Sequence, residues 1–490
     1  MVKKKNKKQR GKKLPPSPRE IPILGHLHLL GKNTHEDLRN LAKVHGPIMR
    51  LRLGSVEHVI VSSPRAAELF LKTHDSVFAS RPPHEAAQLI AYGQKNLSFS
   101  QYGAYWRSTR KICTMQLLTN LKVNSFQGMR MEELNHVIES LKKKVGAAAV
   151  DLGERVSALT ADMSCRMVFG KKYEMKDIDE RGFKGVVREA MRLFTKINLA
   201  DYFPHLCNYN NTWLDIQGLR RRMKAIAEVF DKLLEGILED HEQGGAGGGG
   251  DSSGRTKDFV EILLAIMKSG ESDFPFHRNH VKATLMDIFA ASTDTTAMVI
   301  EWTMFELMRH PHYMKKVQDE LERRVGLGRM VEESDLEGLE YLEMVIKESL
   351  RLHPVVPLLA PHEAREDCEV DGFHIPQGTR IFVNVWAIGH DPNVWPDPEK
   401  FIPERFQGVE TDYRGRHFEL VPFGSGRRSC PGMQLGVTVV RLVLAQLLHC
   451  FDWKLPEDPQ ELGLMVEEFG FAILRIKRLV AVPYNYRLHI

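Results

Sequence analysis

Apolar residues recur along most of this chain at the spacing of an amphipathic helix, which predicts a mainly α fold. The stripe is clearest over 214–241, where Leu214, Leu219, Met223, Ile226, Phe230, Leu233 and Ile237 share one face, and it reads as core rather than as ligand surface. A continuous helical pattern over 280–310 is long enough to cross a whole domain. Further helices are expected over 311–325, 337–352 and, from a nearly all-apolar run, 433–448. Strand signals are few. Two strands are expected over 48–53 and 58–62 around Gly54-Ser55, after which Pro64 opens a short helix to Leu71. Val370-Asp371-Gly372-Phe373 signals a hairpin, because Asp-Gly tolerates the positive φ of a type I′ turn. The glycine-serine run 244–254 is expected to be a mobile surface loop and need not divide two domains, since lengthening a loop costs little. No internal repeat is apparent.

The 490 residues would on length alone suggest about three domains. With 43% hydrophobic and 27% charged residues the chain is an ordinary globular protein, large enough to enclose a cofactor. Its six cysteines, at 113, 165, 207, 368, 430 and 450, show no disulfide rhythm, as in a reducing compartment. Charge changes the picture more. Residues 3–13 carry eight Lys or Arg and no acid, so the net +5 hides a remainder that is acidic by about three charges. Such a run binds nucleic acid, targets the chain, lies on an anionic membrane or is a solvated tail. No run of 18 apolar residues is present to span a bilayer, and 11–18 supply no apolar core for a secretory signal.

One cysteine has an unusual setting. Cys430 lies in Phe423-Gly424-Ser425-Gly426-Arg427-Arg428-Ser429-Cys430-Pro431-Gly432, with two arginines before the sulfur and an apolar helix after it. Glycines allow positive φ and close backbone approach. Backbone N–H groups of such a turn can point at the sulfur, and a nearby arginine favours thiolate over thiol. The ordinary readings are a buried small hydrophobe, half a dinucleotide fingerprint, or a zinc ligand. The fingerprint lacks its third glycine and its strand–turn–helix context; zinc lacks a second ligand at the right spacing. The pattern F-x-x-G-x-R-x-C-x-G resembles the haem-binding loop of the cytochrome P-450 family, which implies that Cys430 and Phe423 contact haem and that Cys430 is the axial thiolate on iron.

Other motifs follow in the family's order. Trp106-Arg107-Ser108-Thr109-Arg110-Lys111 is similar to its W-R-x-x-R-K helix. By that likeness Trp106 and Arg110, four apart on one face, bind a haem propionate. Arg428 is implied as another donor, and His362, where many relatives have arginine, as a further one. For Arg107 and Lys111 a basic helix surface is the plain alternative. Ala291-Ser292-Thr293-Asp294-Thr295-Thr296 places small and hydroxyl residues mid-helix, an unfavourable choice that a functional kink would explain. The run resembles the family's oxygen-activation motif, in which Thr295 would hold a water and Asp294 would feed protons from solvent. A hydroxyl patch bonded to its own helix is the alternative. Ser292 replaces the usual glycine, and its hydroxyl is expected on the carbonyl of residue 288 or at the oxygen site. Glu348 and Arg351, alone an ordinary surface pair, sit in a K-E-S-L-R-L-H-P context. With Arg405 of the P-E-R-F box they resemble the family's buried structural brace. Substrate contacts are implied by position in 81–103, 193–207, 355–360 and 469–473 and on the helix face of Asp287, Ala291 and Thr295. Ala291, Val355, Leu359, Phe469 and Phe471 are the pocket residues singled out; apolar and aromatic, they suit a hydrophobic ligand and would suit a core equally.

The resemblance covers the chain from Pro15 onward, and within the family it looks like the plant specialised-metabolism group. It implies a mainly α fold with a minor β region, the haem buried between the long central helix and the cysteine-loop helix. Residues 1–13 would be a basic leader, 14–34 a proline-rich hinge and 35–490 a single haem-binding catalytic domain. The cofactor implied is haem b (iron protoporphyrin IX). Nothing resembles a flavin or nicotinamide domain, so electrons from NADPH are expected through a separate NADPH–cytochrome P-450 reductase. O2 and a hydrophobic plant metabolite (flavonoid or other phenolic, terpenoid or alkaloid) complete the reaction. The family's microsomal members carry an anchor before such a basic patch. The expectation is therefore the cytosolic face of the endoplasmic reticulum membrane, a membrane surface as partner of the N-terminus, no nucleic acid, and an anchor removed to leave a soluble chain. A haem-thiolate isomerase or dehydratase is the competing enzyme class, disfavoured by the Asp294-Thr295 pair. A non-catalytic basic module leaves the other motifs unexplained.

Overall fold

The computed structural model describes residues 12–146, 149–173, 182–205, 215–247, 256–270, 272–456, 467–468, 474–475 and 479–489. Helices dominate, and the longest, Arg278–Arg309, runs through the centre as the 280–310 pattern predicts. It packs against Leu152–Phe169, Phe259–Ser269 and Met433–Cys450. Helices Pro311–Val325 and Glu340–Leu352 follow as expected. Met433–Cys450 is apolar and long enough to cross a membrane, but most of it is buried in the main core against the central helix. The stripe predicted over 214–241 forms Leu219–Gly247. It starts late because Gly218 turns the chain at φ 66° and the Asp215 carboxylate accepts the backbone N–H groups of Arg220 and Arg221, at 3.1 and 3.0 Å. It also runs on through the first four residues of the glycine run, 244–247, where a loop was expected; 248–254 lie outside the described residues.

The main sheet has four strands in the order Ile48–Leu53, Val56–Val61, Arg380–Val383, His362–Glu363. The first pair is an antiparallel hairpin around Gly54-Ser55, the second parallel with Val61 opposite Val383, the third antiparallel with Glu363 opposite Arg380. The signalled hairpin joins Cys368–Val370 to Phe373–Ile375, with Asp371 and Gly372 both at positive φ. After Pro64–Glu68 the helix widens into a π-helical turn, Leu69–Thr73. Residues 14–34 lie along the sheet: Arg50 N donates to the Pro16 carbonyl, and Gly25 bridges to Leu53. Gly25 is at φ 60° with its Cβ position 2.1 Å from the Arg52 carbonyl oxygen, so no side chain fits there.

His58 lies fully buried in this sheet, stacked on Phe382 at 5.6 Å, with one ring nitrogen on the Val56 carbonyl at 3.0 Å. Burial, aided by Arg380, lowers its pKa to about 3. Burial likewise lowers His35 to about 4 and His390 to about 3. The unfolded chain takes these protons near pH 6.5 and the folded one only near 3–4, so each histidine contributes stability that is present above pH 6.5 and lost as pH falls. The unfolding free energy should fall between pH 6 and 4.5, and His58→Phe should reduce that slope by about 1.4 kcal/mol per pH unit. Unfolding titrations at several pH values check this; equal slopes would refute it.

Candidate functional site

The loop 423–432 is shaped by Gly424 and Gly426, at φ 67° and 69°, and by the Cys430 N–H donating to the Phe423 carbonyl at 2.9 Å. The helix Met433–Cys450 begins three residues after Cys430, so the sulfur sits at its N-terminus and accepts from the backbone N–H groups of Gly432 and Met433. Burial is the largest influence on the thiol and raises its pKa, against the pull of these donors and of Arg110. Yet Cys430 is exposed. A sulfur both desolvated and accessible borders an internal space.

The central helix borders that space from the other side. Ala291, midway along it, is exposed, and Asp287 and Thr295, one turn either way on the same face, are partly so. Thr296 Oγ1 lies 4.0 Å from the Cβ position of Gly436, six residues past the cysteine, which brings this turn beside the cysteine-loop helix. Thr295 donates to the Ala291 carbonyl at 2.5 Å, leaving its oxygen lone pairs as acceptors toward the space; Asp294 is half-buried one residue earlier. Ser292 goes elsewhere than expected. Its hydroxyl bonds the Phe289 carbonyl at 3.2 Å and Ser164 on the neighbouring helix at 2.9 Å, away from both the carbonyl of residue 288 and the cavity face. Thr293 also bonds the Phe289 carbonyl, at 2.8 Å. These bonds satisfy the hydroxyls inside an unbroken α-helix, so no break marks the expected kink.

Three arginines converge near the sulfur with no Asp or Glu in ion-pair contact among the described residues. Arg428 donates to the carbonyls of Ala79, Leu97 and Ser100 at 2.6, 3.2 and 2.6 Å. Arg81 donates to those of Ser98, Ala360 and Pro361 at 3.1, 2.5 and 2.9 Å. Burial, then the mutual repulsion with Arg81 and Arg110, depresses Arg428 to about 8; burial depresses Arg81 to about 9. Buried cations without a counter-ion call for an anionic ligand, and the two propionates of the haem that the motifs imply would supply that charge. Arg110 is likewise lowered by burial and raised by Cys430.

The other expected donors are arranged differently. The Trp106 indole N–H is spent on the Leu97 carbonyl at 3.1 Å, and its ring lies 4.2 Å from the Arg428 guanidinium, so Trp106 supports Arg428. His362 has Nδ1 on the Phe78 carbonyl at 2.8 Å, and burial, then Arg81, holds its pKa well down. A neutral ring donating through Nδ1 offers only an acceptor at Nε2. Arg81 was missed as a site residue: it lies in a loop, 279 and 280 residues from two of the carbonyls it holds, and only the fold brings them together. Asp287 was assigned only to the helix face. Its carboxylate clasps the covering loop through Asn96 Nδ2 at 2.7 Å and Ser98 N at 2.8 Å, and burial raises its pKa.

Among pocket expectations, Ala291 faces the space and Val355 is partly buried against the main core. Leu359 does not join them. Held at φ 50°, it is buried in the second core with Phe418 and Val421, and its Cδ1 lies 3.7 Å from the Cβ position of Gly424, so it backs the cysteine loop. Phe469 and Phe471 lie outside the described residues. An aromatic cluster of His84, Phe99 and Phe194, with centroids 5.1–5.7 Å apart, joins the two segments expected to cover the pocket.

The brace is assembled in full. Glu348 accepts from Arg351 Nε and Nη2 at 2.7 and 2.8 Å, from Arg405 Nε at 2.9 Å and from Ile402 N at 2.7 Å. Arg351 also holds the carbonyls of Gly389, Pro398 and Lys400.

The cytochrome P-450 family model matches residues 15–480. A cytochrome P-450 of Panax ginseng is 48% identical over 489 residues, 98% of this chain and 95% of that protein. Costunolide synthase of Cichorium intybus is 41% identical, covering 96% of this chain and 93% of that one. Premnaspirodiene oxygenase of Hyoscyamus muticus is 40% identical, covering 98% and 95%. A zebra fish cytochrome P-450 solved with progesterone matches at TM-score 0.76 and 26% identity, over 92% of this chain and 99% of that one.

Proposed function

The chain belongs to the cytochrome P-450 family of monooxygenases, and from that premise we propose that it oxidises a hydrophobic plant metabolite with O2, drawing electrons from NADPH through a separate reductase. The observation that carries this reading is the pairing of two features: Cys430, held at a helix N-terminus by backbone donors, and the exposed Ala291–Thr295 face of the central helix. Haem supplies oxygen activation when bound. The chain's own residues fit such a group. Cys430 would hold its iron through the sulfur, and Arg81, Arg110 and Arg428 would offer charge to its acid groups. Thr295, an acceptor on the cavity face, keeps a water there, and Asp294 relays protons toward it.

The relatives' names, costunolide synthase and premnaspirodiene oxygenase, support a lipophilic plant metabolite as the substrate. Arg107, Arg110, Lys111 and Arg427 line a surface cavity of about 350 Å³ with Tyr102 and Trp106, a cationic patch suited to an acidic reductase. The basic residues 3–13, with Ile21, Ile23 and Leu24 exposed just after them, suit the cytosolic surface of the endoplasmic reticulum membrane.

Screening phenolics and terpenoids for a spin-state shift, then assaying with reductase, tests the reading. Product should need both NADPH and O2, and product formed without them would assign an isomerase or dehydratase instead. Thr295→Ala should lower product per NADPH oxidised by about 10-fold or more. It should leave the thiolate-type absorption of the reduced CO complex intact, since it touches the proton path and not the sulfur. An unchanged ratio would remove Thr295 from the relay.

A further inference from the structure

We infer that Asp75 is the residue that positions the cysteine loop, and through it the sulfur; this rests on Cys430 being the haem ligand proposed above. Asp75 opens the short helix Asp75–Phe78 and is 9% exposed. Its carboxylate takes the backbone N–H of Arg427, at 3.2 Å to Oδ1 and 3.3 Å to Oδ2, and the Arg427 guanidinium at 2.6 Å to Oδ2. One residue earlier the loop touches the same surface. A Cβ on Gly426 would stand 2.3 Å from the Leu71 carbonyl oxygen and 2.7 Å from Asp75 Oδ1, at φ 69°. One residue later Arg428 Nε holds the Ala79 carbonyl, just past the end of that helix, at 2.6 Å. The loop is thus docked on residues 71–79 at three successive positions.

From there to the sulfur the chain has no slack. Ser429 N donates to the Gly426 carbonyl at 3.1 Å and Cys430 N to that of Phe423 at 2.9 Å, closing the loop on itself. A shift at Arg427 is therefore passed to Cys430. The Asp75–Arg427 ion pair itself is half-exposed on the arginine side, at 47%, and such pairs contribute little. The bond that matters is the one the Arg427 backbone N–H donates to the Asp75 carboxylate, which Arg427→Ala leaves in place. Asp75 is a positioning residue, acting on the sulfur through the loop.

This separates two variants that a simple ion pair would make equivalent. In the full chain with haem, Asp75→Ala should cost at least half of the thiolate-type CO absorption. Hydrogen exchange of the amides in 424–432 should rise about 10-fold or more, with helix Glu340–Leu352 unaffected. Arg427→Ala should keep both near wild type. Equal damage from the two variants would assign the effect to the ion pair and overturn the inference, as would wild-type absorption and exchange in Asp75→Ala. If Asp75→Ala does not fold, Asp75→Asn decides: it retains one acceptor oxygen, so partial loss of protection in 424–432 is expected and none overturns the inference. Wild-type protein without the thiolate-type absorption would defeat the haem-thiolate reading instead, and exchange in 424–432 would still report on the docking.

Discussion

Cys430→Ser and Cys430→Ala are expected to abolish the red-shifted absorption of the reduced CO complex that thiolate ligation gives this family, while leaving the polypeptide folded. The local bonding explains the separation. The loop is held by Gly424 and Gly426 at positive φ, by Cys430 N on the Phe423 carbonyl, by Ser425 Oγ on the Gly415 carbonyl at 2.7 Å and by Asp75, none of which uses the sulfur. Serine keeps an oxygen where the Gly432 and Met433 amides point, so its cost to stability should stay below about 1 kcal/mol. It cannot replace a thiolate, because a serine hydroxyl is far too weak an acid to ionise beside two amides and one arginine. Haem content, the CO spectrum and far-ultraviolet circular dichroism of both variants give the answer. A CO spectrum unchanged from wild type would remove Cys430 from the iron and with it the proposed function. Loss of the fold together with the spectrum would show that the sulfur is part of the loop's own stability, contrary to the bonding described.

What could be read in the chain before its fold divides along a physical line. The long helices were legible because burial of one face writes a period into the sequence. The central helix and the cysteine-loop helix fell within about two residues of their pattern. The glycine turn around Cys430, the hydroxyl face at Thr295 and the pairing of Glu348 with Arg351 were legible because each is set by neighbours a few residues away, in a turn or on one helical face. Arg81 and Asp75 were not. Each acts on groups hundreds of residues distant, and each is by itself an ordinary loop or helix-end residue. The misplacements have the same origin. Trp106 offers an indole N–H to whatever is nearest, and only the fold makes that the Leu97 carbonyl. Leu359 is apolar enough for a pocket or a core, and its positive φ, which no local pattern announces, turns it into the core. Ser292 was read against its own helix or the oxygen site; it bonds the Phe289 carbonyl of its own helix and also Ser164, which lies on another.

Glu348→Ala should be the most damaging substitution in the brace, and the ranking within the triad tests why the brace exists. Glu348 and Arg351 are fully buried and Arg405 nearly so. Removing the carboxylate leaves two guanidiniums facing each other with only carbonyls for company, a loss of about 3–5 kcal/mol that should prevent haem incorporation. Arg351→Ala should approach it, because Arg351 also ties down the carbonyls of Gly389, Pro398 and Lys400 and sits 5.6 Å over the Trp395 ring. Arg405→Ala should be mildest, since both Glu348 oxygens keep their bonds to Arg351. Glu348→Gln, which keeps an acceptor but no charge, should fall between. Denaturant titration and haem content across the four variants measure the order. A brace that mattered only as stored electrostatic energy would make Glu348→Gln as harmful as Glu348→Ala. One that fixes the position of 389–405 behind the site should let Gln retain part of the haem, because Ile402 N still finds its acceptor at residue 348. The geometry favours the second outcome: of the seven bonds made by Glu348 and the two arginines at Arg351 Nε, Nη1 and Nη2 and Arg405 Nε, four end on backbone, and it is backbone that the brace holds still.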